Sequence, residues 1–226
     1  MTDIELDGVV VQLEARFPDG CPSDETVRAH AVTFHRSHWI SQLPDPEAPV
    51  LKTGDDLITV TRQDLFDAAA VARSDEAILD LYVKVAGWGS GSSARSIARC
   101  ARVLRQPGAL TTLRHARTAS REQGPVEGYM RLNTRSDLRI KHFGPAFFTK
   151  WLYFTGYDAP DREGPMPLIL DARVASSLGW MRTWGWRSQT YGSYLETVEA
   201  IRTSTAFGRE ATPHAIEYAL FTAGKK

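Results

Sequence analysis

The sequence predicts a mainly α-helical fold with little or no β structure. Three observations predict it. Apolar residues recur at spacings of three and four along most of the chain, the period of a helix face. Hydroxyl and carboxyl side chains stand just ahead of those runs, where they cap helices. Glycine and proline gather mainly between the runs.

Taken in order, the first helix is expected over residues 23–42, with Val27, Ala31 and Phe34 on one face, ended by Leu43-Pro44-Asp45-Pro46. Leu57-Ile58-Thr59-Val60 reads as extended. Thr61 with Asp64 forms a capping box for a helix to Ala72, and Ser74 caps the next, carrying Ile78, Leu81, Tyr82 and Val85. Gly87-Trp88-Gly89-Ser90-Gly91 is expected to break that helix. Ser92 or Ser93 caps a helix to Arg105, on which Arg95, Arg99 and Arg102 form one stripe opposite Ile97, Ala101 and Leu104. Pro107-Gly108 opens a helix bearing Arg114, Arg117 and Arg121. Further helices are expected over 126–133, 137–141, 146–155, from Asp171 to Met181, over 191–205 and over 213–222, the last with Thr212 as N-cap and Pro213 at its first position.

The zero net charge hides an asymmetry. Residues 1–80 hold 16 acids and 6 bases, and the rest 11 acids and 21 bases. Between residues 81 and 121 there are eight Lys or Arg and no acid. Such a run is either a solvated helical face or a surface for a polyanion, and the complete lack of acids favours the polyanion. The division suggests an acidic N-terminal helical segment, 1–80, and a basic domain, 81–226, or one continuous domain. Cys21 and Cys100 lack metal-ligand spacing and read as free thiols of a reducing, cytoplasmic compartment. No apolar stretch approaches the roughly 20 residues that span a bilayer. Asp3, Glu5 and Asp7 make the N-terminus read as neither a signal nor a transit peptide. His35, His38, His115, His142 and His214 show neither zinc nor triad spacing.

The informative stretch runs from Ser136 through Phe143-Gly144-Pro145 to Phe154. It reads as a short helix, a tight turn and a second helix opened by proline: a helix-hairpin-helix. Such a turn aims unpaired N–H groups, with a helix dipole behind them, at a DNA phosphate. Phe143, Gly144, Pro145 and His142, with Arg95, Arg99 and Arg102, are the candidate DNA contacts. Lys150 sits among Phe147, Phe148, Trp151, Leu152, Tyr153 and Phe154. It either snorkels to solvent or is desolvated, and desolvation would make its amine a nucleophile. Asp171, after Leu168-Ile169-Leu170, is either a plain N-cap or a carboxylate beside that lysine.

These residues resemble the helix-hairpin-helix DNA glycosylase superfamily. Phe143-Gly144-Pro145-Ala146-Phe147-Phe148-Thr149-Lys150-Trp151-Leu152-Tyr153-Phe154 and Pro167-Leu168-Ile169-Leu170-Asp171 resemble the bacterial 8-oxoguanine-glycosylase-fold proteins, some of which remove glucosylated hydroxymethylcytosine from viral DNA. Gly87-Trp88-Gly89-Ser90-Gly91-Ser92 and Ile216-Glu217-Tyr218-Ala219-Leu220-Phe221 fit the same resemblance, which spans about residues 80–222. The chain departs from the superfamily pattern of two glycines one residue apart with lysine two beyond the second: only Gly144 is present, and Lys150 lies six past it. The four extra residues make about one helical turn.

The resemblance implies base flipping, attack of Lys150 on the sugar C1′, a Schiff base, and Asp171 as the catalytic carboxylate. It implies double-stranded DNA with a modified base as partner, a cytoplasmic, nucleoid-associated monomer with no membrane contact, and no required metal or nucleotide cofactor. A monovalent cation held by hairpin carbonyls is part of the same implication. Trp88, Trp184 and Trp186 are candidates for stacking on the flipped base, with core packing as the alternative for each. Two competing readings are a non-catalytic DNA-binding module and a helical protein whose acidic segment docks a basic subunit.

Overall fold

The computed structural model describes residues 3–43, 47–133, 136–160 and 164–224. The chain begins with α1 (Asp3–Arg16) and the short α2 (Asp24–Arg28), then β1 (Ala31–His35), α3 (Arg36–Ile40) and α4 (Pro49–Lys52). Next come β2 (Leu57–Thr61), α5 (Arg62–Val71), α6 (Asp75–Ser90), α7 (Ala94–Leu104) and α8 (Ala109–Glu122). The remainder is α9 (Pro125–Leu132), α10 (Pro145–Gly156), α11 (Ala172–Ser177), α12 (Ser188–Ser204) and α13 (Pro213–Ala223). The fold is mainly α, as expected, with one two-stranded antiparallel sheet among the described residues.

That sheet corrects the expected first helix. Val32 and Thr33 are β-branched and stiff, and β1 pairs with β2 from Ala31↔Thr61 to His35↔Leu57. The Thr33 and Thr59 hydroxyls join across the strands at 2.7 Å. The expected break at Pro44, Asp45 and Pro46 lies outside the described residues.

Helix α6 runs straight through the expected break and ends at Ser90, with Gly91 at φ 55. Close packing explains the internal glycines. A Cβ on Gly87 would lie 2.6 Å from the Phe34 ring, and one on Gly89 would lie 2.8 Å from Cδ of Lys150. These glycines let a strand and a lysine approach the helix backbone.

Residues 137–141 are turns, not a helix. Leu138 and Ile140 are buried while Arg139 and Lys141 are exposed, a period of two that no helix satisfies. The helix before α10 is α9, which ends at Leu132, so among the described residues no helix leads directly into the Phe143-Gly144 turn. Helix α11 stops at Ser177 rather than Met181. Gly179 at φ 71 closes a Schellman motif: its N–H donates to Ser176 O, and Trp180 N–H donates to Ala175 O.

Helix α10 is the hub. Every residue from Phe148 to Gly156 is buried, as befits a helix apolar all round. It packs against α5, α6, α8 and α9. One apolar cluster runs through Leu13, Phe34, Leu65, Tyr82, Trp151, Tyr194 and Ile216, so residues on both sides of position 80 share a core.

Candidate active site and nucleic-acid face

The site is assembled at two levels of α10. Its N-terminus has Gly144 as N-cap, Pro145 at the first position and no side-chain cap. Just before it, His142 holds φ 73, a left-handed conformation uncommon outside glycine. The Arg99 guanidinium reaches to 3.6 Å of where a Gly144 Cβ would stand. Arg99, Asn133, Arg139, His142, Gly144 and Pro145 line a shallow cleft of about 150 Å³. Partial burial lowers the His142 pKa, and Lys141, Arg102 and Arg99 lower it further. An uncapped helix N-terminus among these cations suits an anion. The Ile140 and Gly144 carbonyls of this turn accept main-chain N–H groups, and Lys141, Arg102 and Arg99 make the surroundings positive. No cluster of three His, Cys, Asp or Glu side chains able to hold a metal occurs among the described residues.

The basic run divides in two. Lys84 pairs with Asp80 at 2.6 Å, Arg105 binds the Gln42 carbonyl, and Arg114 pairs with Asp75. Arg117 is buried and donates to Ala72 O (2.7 Å) and Ala69 O (3.1 Å), while Arg121 donates to Thr155 O at 2.7 Å. Lys84–Asp80 is a pair within α6, and the four arginines hold elements together. Arg95, Arg99 and Arg102 instead point to solvent, and no side-chain hydrogen bond or ion pair ties them to the described residues. Phe143, a candidate DNA contact, buries its ring between Tyr82 and Phe148 and donates its N–H to Ile140 O. It shapes the turn from within.

One turn deeper on α10 lies Lys150, only 6 % exposed. Its Nζ donates to Ala146 O at 2.8 Å and to Asp171 Oδ2 at 3.3 Å, and stands 5.8 Å from the Phe147 ring centroid. Asp171 fills both roles considered for it. Oδ1 caps α11 by accepting the Arg173 and Val174 N–H groups at 3.0 and 3.2 Å, and Oδ2 faces the lysine. Burial pushes the Asp171 pKa up, but Lys150 and the two N–H groups outweigh it and hold the carboxyl below its ordinary range.

The backbone leading to Asp171 is extended but belongs to no sheet. Three buried hydroxyls take the place of a partner strand. Tyr191 Oη donates to Leu168 O (3.0 Å) and accepts Leu168 N–H (3.2 Å), and Tyr194 Oη donates to Ile169 O at 2.9 Å. Thr149 Oγ1 accepts Leu170 N–H at 3.1 Å and lies 3.3 Å from Leu170 O. Thr149 directly precedes Lys150, and Leu170 directly precedes Asp171, so this one hydroxyl registers the pair.

The tryptophans behave differently from one another. Trp88 lies inside helical α6, 5 % exposed, edge-on to Phe154 and His30. Trp186 is equally buried, with Nε1 donating to Arg182 O. Both rings are covered by protein, as in the core-packing alternative to a base pocket. The glycines beside Trp88 serve packing, and Trp186 anchors its own loop. Trp184 is 70 % exposed and stands in solvent.

A second polar cluster was not legible in the sequence. Arg62 and Glu217, both fully buried, pair at 2.6 Å, and Arg62 also donates to Tyr153 Oη at 3.0 Å. Tyr153 Oη meets His214 Nδ1 at 2.9 Å, and His214 Nε2 meets Asp24 at 2.5 Å. Burial raises the Glu217 carboxyl, with Arg62 opposing. The chain of contacts ties α2 and α5 to α10 and α13. Capping and periodicity carry no signal for it, because its members are 155 to 190 residues apart at the ends.

No helix among the described residues is long and apolar enough to cross a membrane. No curated protein and no solved structure gives a significant match. A family model does match, over residues 25–221. The chain therefore belongs to the family described as "Putative 8-oxoguanine DNA glycosylase OGG-like protein".

Proposed function

We propose that the chain excises a modified base from double-stranded DNA, with Lys150 as nucleophile and Asp171 as the catalytic carboxylate. The buried Lys150–Asp171 contact at 3.3 Å carries this reading, because a buried lysine and carboxylate one turn from an anion-binding helix end suit attack on a sugar carbon. The hairpin end of α10, with Arg99 and His142, binds phosphate.

The step runs as follows. The target nucleotide leaves the stack, since its glycosidic bond is unreachable inside the duplex. Lys150 gives up a proton to water, Asp171 stays a carboxylate, and the free amine attacks C1′. The C1′–N bond breaks, with its electron pair leaving on the base. Carboxylate charge next to C1′ stabilises the oxocarbenium-like transition state. The bound amine then loses a proton, and opening of the sugar ring yields an imine. Strand cleavage on the 3′ side follows by elimination from that imine. The substrate is either 8-oxoguanine or a bulky glucosylated hydroxymethylcytosine, which makes the role repair or antiviral defence. The protein acts as a monomer at the nucleoid.

Borohydride trapping tests this on duplexes bearing each base. An adduct with the wild type that vanishes in Lys150→Ala, while DNA binding persists, is the expected result. Released base without an adduct would leave Asp171 working through water and demote Lys150. DNA binding with neither adduct nor released base on any modified duplex would favour a non-catalytic binding module.

A further inference from the structure

Between α11 and α12 the chain makes a loop, 179–187, which presents Met181, the most exposed large apolar side chain of the described residues, and an exposed indole, Trp184. Met181 is 102 % exposed and Trp184 is 70 % exposed. A tip of this kind is unusual on a protein surface without a partner. The loop is nonetheless firmly built. Gly179 and Gly185 take φ 71 and φ 66, which set its two bends. The Arg182 guanidinium lies 5.0 Å from the Trp184 ring centroid, in space that a side chain on Gly185 would crowd at 3.2 Å. Trp186 roots the loop: its indole N–H donates to Arg182 O, and its carbonyl accepts Tyr129 Oη at 2.9 Å and Asn133 Nδ2 at 3.1 Å.

Two facts identify the occupant. Asn133 also lines the cleft of Arg99, His142 and Gly144, so the loop is pinned directly beside the hairpin end of α10. And from Ala172 to Leu195 the sequence has no acid, while Arg182 and Arg187 flank the tip; Arg173 is taken up by the Gly224 and Thr222 carbonyls. An indole and a thioether bracketed by guanidinium groups match an apolar base face bounded by phosphates. Inserting apolar side chains between base steps is a recognised way of holding a duplex open.

We propose that loop 179–187 is a second DNA contact, with Trp184 and Met181 stacking against unstacked bases at an opened site while the hairpin holds the backbone. This rests on the proposed function and adds to it residues that discriminate opened from intact duplex.

The probes are two duplexes of one sequence, one intact and one with a single abasic tetrahydrofuran residue, so that no particular base need be known. Binding is followed by anisotropy at two salt concentrations. One stacked base is worth enough that Trp184→Ala weakens binding to the abasic duplex by about tenfold or more. Its affinity for the intact duplex changes less than about twofold and its salt slope is unchanged, since no phosphate contact is lost. Trp184→Phe restores most of the loss. Equal affinities of Trp184→Ala and wild type on the abasic duplex overturn the inference, as does equal weakening on both duplexes. A wild-type dimer in sedimentation that Trp184→Ala dissociates assigns the tip to a second copy of the chain and also overturns it. If the wild type binds neither duplex with a salt dependence, the proposed function itself fails, separately from the loop.

Discussion

At the scale of single residues, Thr149 shows how little chemistry registers a reactive pair. Its hydroxyl accepts the Leu170 N–H, in an extended segment without a strand partner, and donates to Pro145 O at 2.7 Å; Thr149 directly precedes Lys150, as Leu170 directly precedes Asp171. Thr149→Val keeps the shape but strands a buried N–H, which costs about 1–3 kcal/mol. Urea denaturation is expected to register that loss. Misplacing Asp171 by a fraction of an ångström is expected to lower kcat by about tenfold or more with a small change in DNA affinity. Thr149→Ser, which retains the hydroxyl, is expected to recover most of both. A Thr149→Val enzyme with wild-type kcat would mean that Tyr191 and Tyr194 suffice to set the segment.

At the scale of elements, α7 and α8 use the same residue type for opposite ends. On α7, arginines at 95, 99 and 102 face solvent beside the hairpin turn. On α8, Arg114 and Arg117 are spent on Asp75 and on the last carbonyls of α5. Arg99→Ala is therefore expected to weaken binding across DNA sequences and to reduce the salt slope by about 0.9, one phosphate's share. Arg117→Ala is expected to lower Tm with the slope unchanged, because it uncovers two buried carbonyls. Anisotropy titrations over a salt series, with a melting curve for each variant, separate the two. An Arg99→Ala slope equal to that of the wild type would remove α7 from the DNA face.

At the scale of the whole molecule, the first and last parts of the chain are locked together by buried titratable groups. His214 joins Asp24 of α2 to Tyr153 of α10, and burial, only partly opposed by Asp24, lowers its pKa to about 4 from 6.5. With the folded pKa depressed, the unfolded chain takes up the proton first. Stability is therefore full above about pH 6.5, falls as pH drops toward 4, and changes no further through this group below that. The loss amounts to at most about 3 kcal/mol. His30 is lowered to about 4 as well, by burial first and then by Arg62 and Arg173, and adds to the same window. Thermal melts between pH 7.5 and 4.5 are expected to show Tm falling on the acid side, less steeply in His214→Gln. An unchanged slope in that variant would shift the acid sensitivity to other groups.

The helices from α5 onward, the capping box at Thr61 and Asp64, the extended piece at 57–60 and the proline-opened start of α10 were legible because each depends on residues close in sequence, whereas α1 and α4 were not read. Local spacing also brought Lys150 and Asp171 forward as candidates, since a charge in an apolar run and an acid after three aliphatics are visible without a fold. What local spacing could not carry was which side chains meet. The strand at 31–35 exists because β2 pairs with it, so the helical period read there lost to a partner 26 residues away. Gly87 and Gly89 look like helix breakers until Phe34 and Lys150 are laid against them. Five of the eight cations in the basic run are taken up by carbonyls and acids of the chain, Arg117 in the interior, and Trp88 and Trp186 left the surface for the core. The sequence by itself determined a mainly helical chain and its candidate reactive residues, because caps, periods and turn residues act over a few positions. Only the tertiary structure decided the 3.3 Å contact of Lys150 with Asp171, the arginines left in solvent and the exposed Trp184, because burial and pairing are set by elements distant in sequence.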